Sequence, residues 1–440
     1  MNQFIVIIIF LAATFSWRRF VPNHVRNKVV PWAFALMICN ICCSTFYSGG
    51  VHGILGLLNY ILFAILCDGL GMGYKNYNPA WRAMVVFWTY MIFSSTWGRY
   101  VLDGYSYWVL CFVSSFCVGY FVSFWFLRTP GGLHKVSFQI VILSILVVFI
   151  YVRHGALTAE DVSTRLEFDV DLLAEGVRFN QNAVAMYMIL LMSFVVVSYM
   201  RTTISRKDMA VKLIALGVMV PLTLLLLRSG SRGGALCLVP IALYSLSSTG
   251  NTLKNVKRIA WLLAGTALII ILVMRTFKDQ DKIRAFSLSG DDNVNYYTQG
   301  DQITSGRLSM WQRNIESMEP WQIVIGRGLS SCNEETGRVT AGNAHSIYMT
   351  VFYNSGIIGL FLMFVSICLF LREAHRSGDR GRLAKMFVFI WLIHGIGESW
   401  GMVGGGMAIL AGIGFGLVSR CRITNYEFID FRYPQGCYRI

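Results

Sequence analysis

Ile347–Leu371 reads IYMTVFYNSGIIGLFLMFVSICLFL and contains no charged side chain. At about 1.5 Å per residue it is long enough to cross the roughly 30 Å hydrocarbon core of a bilayer as one helix. Unpaired backbone amides and carbonyls cost several kcal/mol in hydrocarbon, so such a run folds with its hydrogen bonds inside the segment, as a helix. Similar runs recur along the 440 residues, 55% of which are apolar and 14% charged. An ordinary soluble domain has about 25% charged residues. Spans are predicted near 4–16, 31–46, 51–67, 82–98, 106–127, 137–152, 182–200, 209–228, 233–248, 259–275, 345–371, 386–403 and 404–419. The expected fold is therefore all-α: a polytopic membrane protein of about thirteen transmembrane helices, within a range of twelve to fourteen. Residues 1–440 form a single integral domain. Phe4–Phe15 has no basic stretch before it and is followed by Arg18 and Arg19, so it reads as a retained helix rather than a cleaved leader.

The net charge of +15 invites a nucleic-acid reading, but its distribution excludes one. Alternate connections between the predicted spans carry 22 Lys/Arg against 6 Asp/Glu, and the opposite set carries 12 against 16. Positive charge accumulates on the cytoplasmic side of membrane proteins. The basic segments Trp17–Val30, Arg201–Asp208, Lys254–Arg258 and Arg372–Lys385 then face the cytoplasm, where they orient the chain and meet anionic lipid. The smaller loop at 153–181 and the large loop at 277–344 face outward. The expected partners are membrane lipids and no nucleic acid.

Polar chemistry concentrates in the large loop and at its edges. Leu308, Met310, Trp311 and Ile315 have helical spacing after Ser305-Gly306-Arg307, which predicts a helix over Leu308–Met318 closed by Pro320. Gly326-Arg327-Gly328 reads as a turn. His345 opens the next span, where an imidazole can act as a base near neutral pH. Arg228 and Arg232 flank a Ser/Gly turn between two spans. An arginine stays charged and grips phosphate oxygens with a bidentate fork. Arg228 is read either as a phosphate ligand or as an arginine snorkelling to lipid headgroups. Glu398, at the outer end of an apolar span, is costly unless paired; it either joins a site or pairs with a nearby arginine or Trp400. Cys39, Cys42 and Cys43 form a C-x-x-C on paper, but they lie in an apolar helix and read as small packing residues. No metal-ligand cluster is apparent.

In chain order, Ser231-Arg232-Gly233-Gly234, Ser305-Gly306-Arg307 with Trp311, Pro320 and Gly326-x-Gly328, and His345-Ser346 followed by Ser355-Gly356-x-x-Gly359 resemble the signature of the O-antigen ligase/polymerase superfamily. Asn180 and Asn182 at the start of a span extend the resemblance, which covers about residues 178–400. Two features depart from it. Family members usually follow the histidine with asparagine, and here Ser346 stands; the helix count is one above the twelve usual in the ligases.

The resemblance implies en bloc glycan transfer at the periplasmic face of the bacterial inner membrane. The donor is an undecaprenyl-diphosphate-linked glycan, and the acceptor is a glycan or lipid A-core hydroxyl. Arg232 and Arg307 would neutralise the leaving diphosphate and His345 would take the acceptor proton, with Arg178, Asn182, Arg228, Trp311 and Glu398 binding substrate. No cofactor and no metal are implied, because arginines can supply the charge. A polymerase joining lipid-linked repeat units shares this logic and is the alternative. A secondary transporter is the remote one, since transporters place ionic groups near the midplane.

Overall fold

The computed structural model describes residues 20–43, 78–128, 132–153, 181–200, 206–229, 231–247, 307–329, 331–332, 339–340, 345–398 and 406–419, together with Ala12. The spans predicted at 51–67 and 259–275, and that at 4–16 apart from Ala12, lie outside them. So do residues 154–180 and 277–306 of the two outer loops.

The described chain is helical almost throughout. In order it forms α1 (Asn23–Cys43), α2 (Pro79–Phe93), α3 (Val101–Cys111), α4 (Val118–Arg128), α5 (Gly132–Arg153), α6 (Gln181–Tyr199) and α7 (Arg206–Arg228). There follow the short α8 (Arg232–Leu236), α9 (Leu238–Ser247), the external α10 (Arg307–Glu316) and α11 (Pro320–Ile325), then α12 (Ile347–Arg376), α13 (Gly378–Gly397) and α14 (Gly406–Leu417). A π-helical turn at Phe112–Cys117 joins α3 to α4. Among the described residues, five helical stretches are long and apolar enough to cross a membrane: Val101–Leu127, Gly132–Arg153, Asn182–Tyr199, Met209–Arg228 and Ile347–Arg376. The protein is thus an all-α membrane protein. One two-residue ladder, Ser331–Cys332 against Val339–Thr340, adds a clip to the external loop.

α14 lies at the centre, with every residue from Gly406 to Leu417 buried. It packs on α4 and α13 with backbones nearly touching. A Cβ on Gly119 would lie 2.0 Å from the Ile409 carbonyl oxygen, and one on Gly412 would lie 2.1 Å from that of Phe116. Helices lacking a hydrophobic drive to associate gain by such close approach, which small residues permit. At one end of the bundle Trp81 stacks on Tyr120, and Asn78 both caps α2 and donates to the Phe415 carbonyl (3.3 Å) and Ser419 Oγ (3.1 Å). Ile145, Leu146 and Phe149 of α5 and Phe361 and Phe364 of α12 are exposed, as lipid-facing side chains should be.

Three sequence expectations need correction. α13 begins at Gly378 and ends at Gly397, not at 386–403. Apolarity marks where a helix enters hydrocarbon, but the helix itself continues past it. Here the turn at Ser377-Gly378 (Gly378 φ +56) starts α13 early, and the Asp379–Arg382 pair braces its first turn. The basic segment Arg372–Lys385 is therefore helical on both sides of a tight turn. Within it the buried Glu373 pairs with Arg372 (3.4 Å) and Arg376 (3.3 Å). Pro320 does not close the first external helix; it opens the second, at a position where its missing N–H costs nothing. α12 is broken at Gly356, whose backbone (φ 63, ψ −164) is not helical.

Candidate active site

Glu398 is the point on which separate elements meet. It follows the last turn of α13 and is 2% exposed. Asn182, at the start of α6, donates from Nδ2 to Glu398 Oε1 at 2.5 Å. Arg307, the first residue of α10, donates from Nη2 to the same oxygen at 3.0 Å. The other oxygen, Oε2, lies 3.7 Å from His345 Nδ1. That is too long for a hydrogen bond, and both atoms are buried with no hydrogen-bond partner among the described residues. A carboxylate this enclosed is stable only when its charge is answered, and Arg307 and Asn182 answer half of it.

The local sequence explains the placement. Gly397 makes room for the arginine, since a Cβ there would stand 3.0 Å from Arg307 Nη1. His345 takes φ 45, the only positive value at a non-glycine among the described residues. This left-handed backbone costs roughly 1–2 kcal/mol. It is held from the next residue, where Ser346 Oγ donates to the Gly395 carbonyl at 3.2 Å. Ile347 then fills the space over Gly395, where a Cβ would stand 2.5 Å from its Cδ1. The serine in place of the usual asparagine therefore pins the start of α12 to the end of α13.

The glycine motifs hold the external helices. Gly326 and Gly328 have φ of +84 and +65. The amides of Arg327 and Gly328 donate to the carbonyls of Tyr353 (2.9 Å) and Asn354 (3.1 Å), in the turn before the Gly356 break. Added Cβ atoms at Gly326 and Gly356 would fall 2.3 Å from backbone of the opposing segment. On the other flank, Tyr90 donates its hydroxyl proton to the Ile325 carbonyl at 3.3 Å, and the Tyr100 amide donates to the Leu329 carbonyl at 3.3 Å. Arg327 lies over the Tyr353 ring, 4.9 Å from its centroid. The signature glycines thus form a backbone latch that seats the α10–α11 segment on α2 and α12.

The remaining sequence candidates divide. Arg232 is the first residue of α8, half-buried behind the Ser231 cap. α8 packs on α6 and α13, the helices of Asn182 and Glu398. A Cβ on Gly234 would meet that of Ala185 at 2.6 Å, and Cys237 Sγ donates to the Ile390 carbonyl at 3.6 Å. Trp311 lies one turn beyond Arg307 on α10, half-buried. Arg228 is 8% exposed at the end of α7, which favours an enclosed side chain over one spread on headgroups, since a headgroup-bound guanidinium would stand outside the protein. Arg178 lies outside the described residues. His394 was missed by the sequence reading. It sits one turn before Glu398, 1% exposed, against the backbone of Asn182. Its i, i+4 spacing from Glu398 within an apolar span was the available signal. Among the described residues, no group of three or more His, Cys, Asp or Glu side chains is arranged to hold a metal ion.

Comparison with curated proteins finds none that matches the chain. Residues 216–364, which run from the middle of α7 through the latch and into α12, match the family model described as O-antigen ligase, and over that third of its length the chain is similar to this family.

Proposed function

We propose that this protein transfers a preassembled glycan en bloc from undecaprenyl diphosphate to an acceptor hydroxyl at the periplasmic face of a bacterial inner membrane. The observation that carries the reading is that Arg307 and His345, distant in sequence, both reach the carboxylate of Glu398. A guanidinium and an imidazole that meet at one carboxylate can both act on one substrate, which supports the reading.

The chemistry needs those two groups. The acceptor oxygen attacks the anomeric carbon while the bond from that carbon to the phosphate oxygen breaks. The hydroxyl proton passes to His345, and the electron pair leaves on the diphosphate. Arg307 and Arg232 neutralise the charge that develops there, so a diphosphate of modest basicity departs without a general acid. The arginines make a metal unnecessary for this step. The cluster lies at helix ends, the starts of α6 and α12 and the end of α13, which favours surface chemistry over carriage of an ion through the midplane. Lipid A-core as acceptor defines a ligase, and a second lipid-linked glycan defines a polymerase. The test is reconstitution of the protein with an undecaprenyl-diphosphate glycan and each acceptor. Transfer with release of undecaprenyl diphosphate supports the reading, the productive acceptor names the class, and no transfer to either acceptor defeats it.

A further inference from the structure

Glu398 divides its two oxygens unequally. Oε1 carries both Asn182 and Arg307, while Oε2 has no hydrogen bond among the described residues and faces His345 Nδ1, likewise without one there, across 3.7 Å. The partners also differ in how they are held. Asn182 is partly buried at the start of a membrane span, whereas Arg307 is on an external helix with its side chain 24% exposed. A diphosphate bears more charge than a carboxylate and offers the guanidinium bidentate geometry. Of the two groups that donate to Oε1, Arg307 is thus the charged one able to turn to a substrate while Glu398 stays.

We propose that Glu398 is a positioning residue that holds Arg307 until a lipid diphosphate takes it, and then gives its carboxylate to His345. This inference rests on the glycan-transfer reading. Once the guanidinium has left, Oε2 and Nδ1 need to close by only about 0.8 Å to reach hydrogen-bond distance. Nδ1–H then donates to Oε2. That bond fixes the tautomer, so Nε2 carries the lone pair that accepts the acceptor's proton. A buried carboxylate behind a catalytic imidazole acts by this means in other hydrolytic and transfer sites. Donor binding therefore sets the base, and the acceptor reacts only afterwards. Apo hydrogen bonds of this kind are commonly long and tighten with substrate.

The experiment uses the full chain in lipid nanodiscs, with undecaprenyl diphosphate as binding probe and glycan transfer as activity. Glu398→Gln removes the charge that competes for Arg307, so affinity for undecaprenyl diphosphate rises by up to about fivefold, the most that a partly exposed ion pair represents. The same variant loses the carboxylate behind the base, so kcat falls by about 10²-fold or more. KM for the donor and kcat then fall together. A carboxylate that merely props Arg307 would instead raise KM as kcat falls, and that outcome overturns the proposal. So does a kcat within about threefold of wild type.

In a His345→Ala background, Glu398→Gln should cost no more than about threefold further, because its target is already gone; a second loss of about 10²-fold also overturns the proposal. If Glu398→Gln does not fold, Glu398→Asp keeps the charge at shorter reach. It should bind undecaprenyl diphosphate within about threefold of wild type while losing about tenfold or more in kcat; unchanged kcat again refutes the idea. A wild-type protein inactive on every donor sinks the glycan-transfer reading, while the binding arm still reports whether Glu398 and a diphosphate compete for Arg307.

Discussion

Gly326→Ala should detach the external helices from the bundle. Gly326 sits at φ +84, ψ 173, a region in which alanine is strained by about 1–3 kcal/mol. Its new Cβ would stand 2.3 Å from both the Asn354 carbonyl oxygen and the Ser355 nitrogen. Both are backbone, so neither can swing aside. The segment relieves the clash by lifting off, which breaks the Arg327–Tyr353 and Gly328–Asn354 bonds, each worth about 0.5–1.5 kcal/mol net. A shift of about 2 kcal/mol towards the undocked state is a conservative total. It should lower amide-exchange protection of Arg327 and Gly328 by about 30-fold. Arg307 lies on the same segment, so donor binding weakens in parallel although no polar group has been removed. Gly217→Ala is the control: nothing lies within 4 Å of a Cβ there, and an alanine inside α7 should be neutral or slightly stabilising. Wild-type protection and donor affinity in Gly326→Ala would refute the latch and return the glycine motif to an ordinary turn.

Other perturbations separate the remaining claims. Arg228→Ala should lower thermal stability by about 0.5–3 kcal/mol, the usual cost of emptying an enclosed position; an unchanged melting temperature would favour the headgroup reading. Transfer should survive EDTA, since arginines supply the positive charge, and activity abolished by chelation and restored by Mg²⁺ would overturn that. Cys332 should react with a membrane-impermeant thiol reagent in intact cells while Cys421 and Cys437 stay protected; the reverse pattern would invert the topology.

Much of the fold was legible in the sequence because hydrocarbon leaves a chain few choices. The length and apolarity of Ile347–Leu371 impose a helix whatever packs beside it. Helix ends beyond the membrane were less legible, as the early start of α13 shows, because charge and turn chemistry decide them. Arg307 and His345 could be named because their residue types suit diphosphate and proton chemistry, but their meeting on Glu398 could not. That contact depends on the latch and on the Ser346–Gly395 bond, both long-range features. The signature glycines were visible as a motif, yet their purpose required seeing two backbones in contact. Arg228 kept two readings because sequence places it at a boundary without showing which way it turns. His394 escaped notice because a lone histidine in an apolar run looks like packing.

The central claim is that Arg307 and His345 act on one substrate, and matched variants in the reconstituted transfer assay test it most directly. His345→Ala should lower the transfer rate by roughly 10²–10⁴-fold, the loss expected of a general base, with the protein still folded. Arg307→Lys keeps the charge but loses the bidentate grip, and should also be severely impaired. Near-normal glycan transfer by both variants at matched membrane levels would contradict the account and leave a binding or transport role in its place.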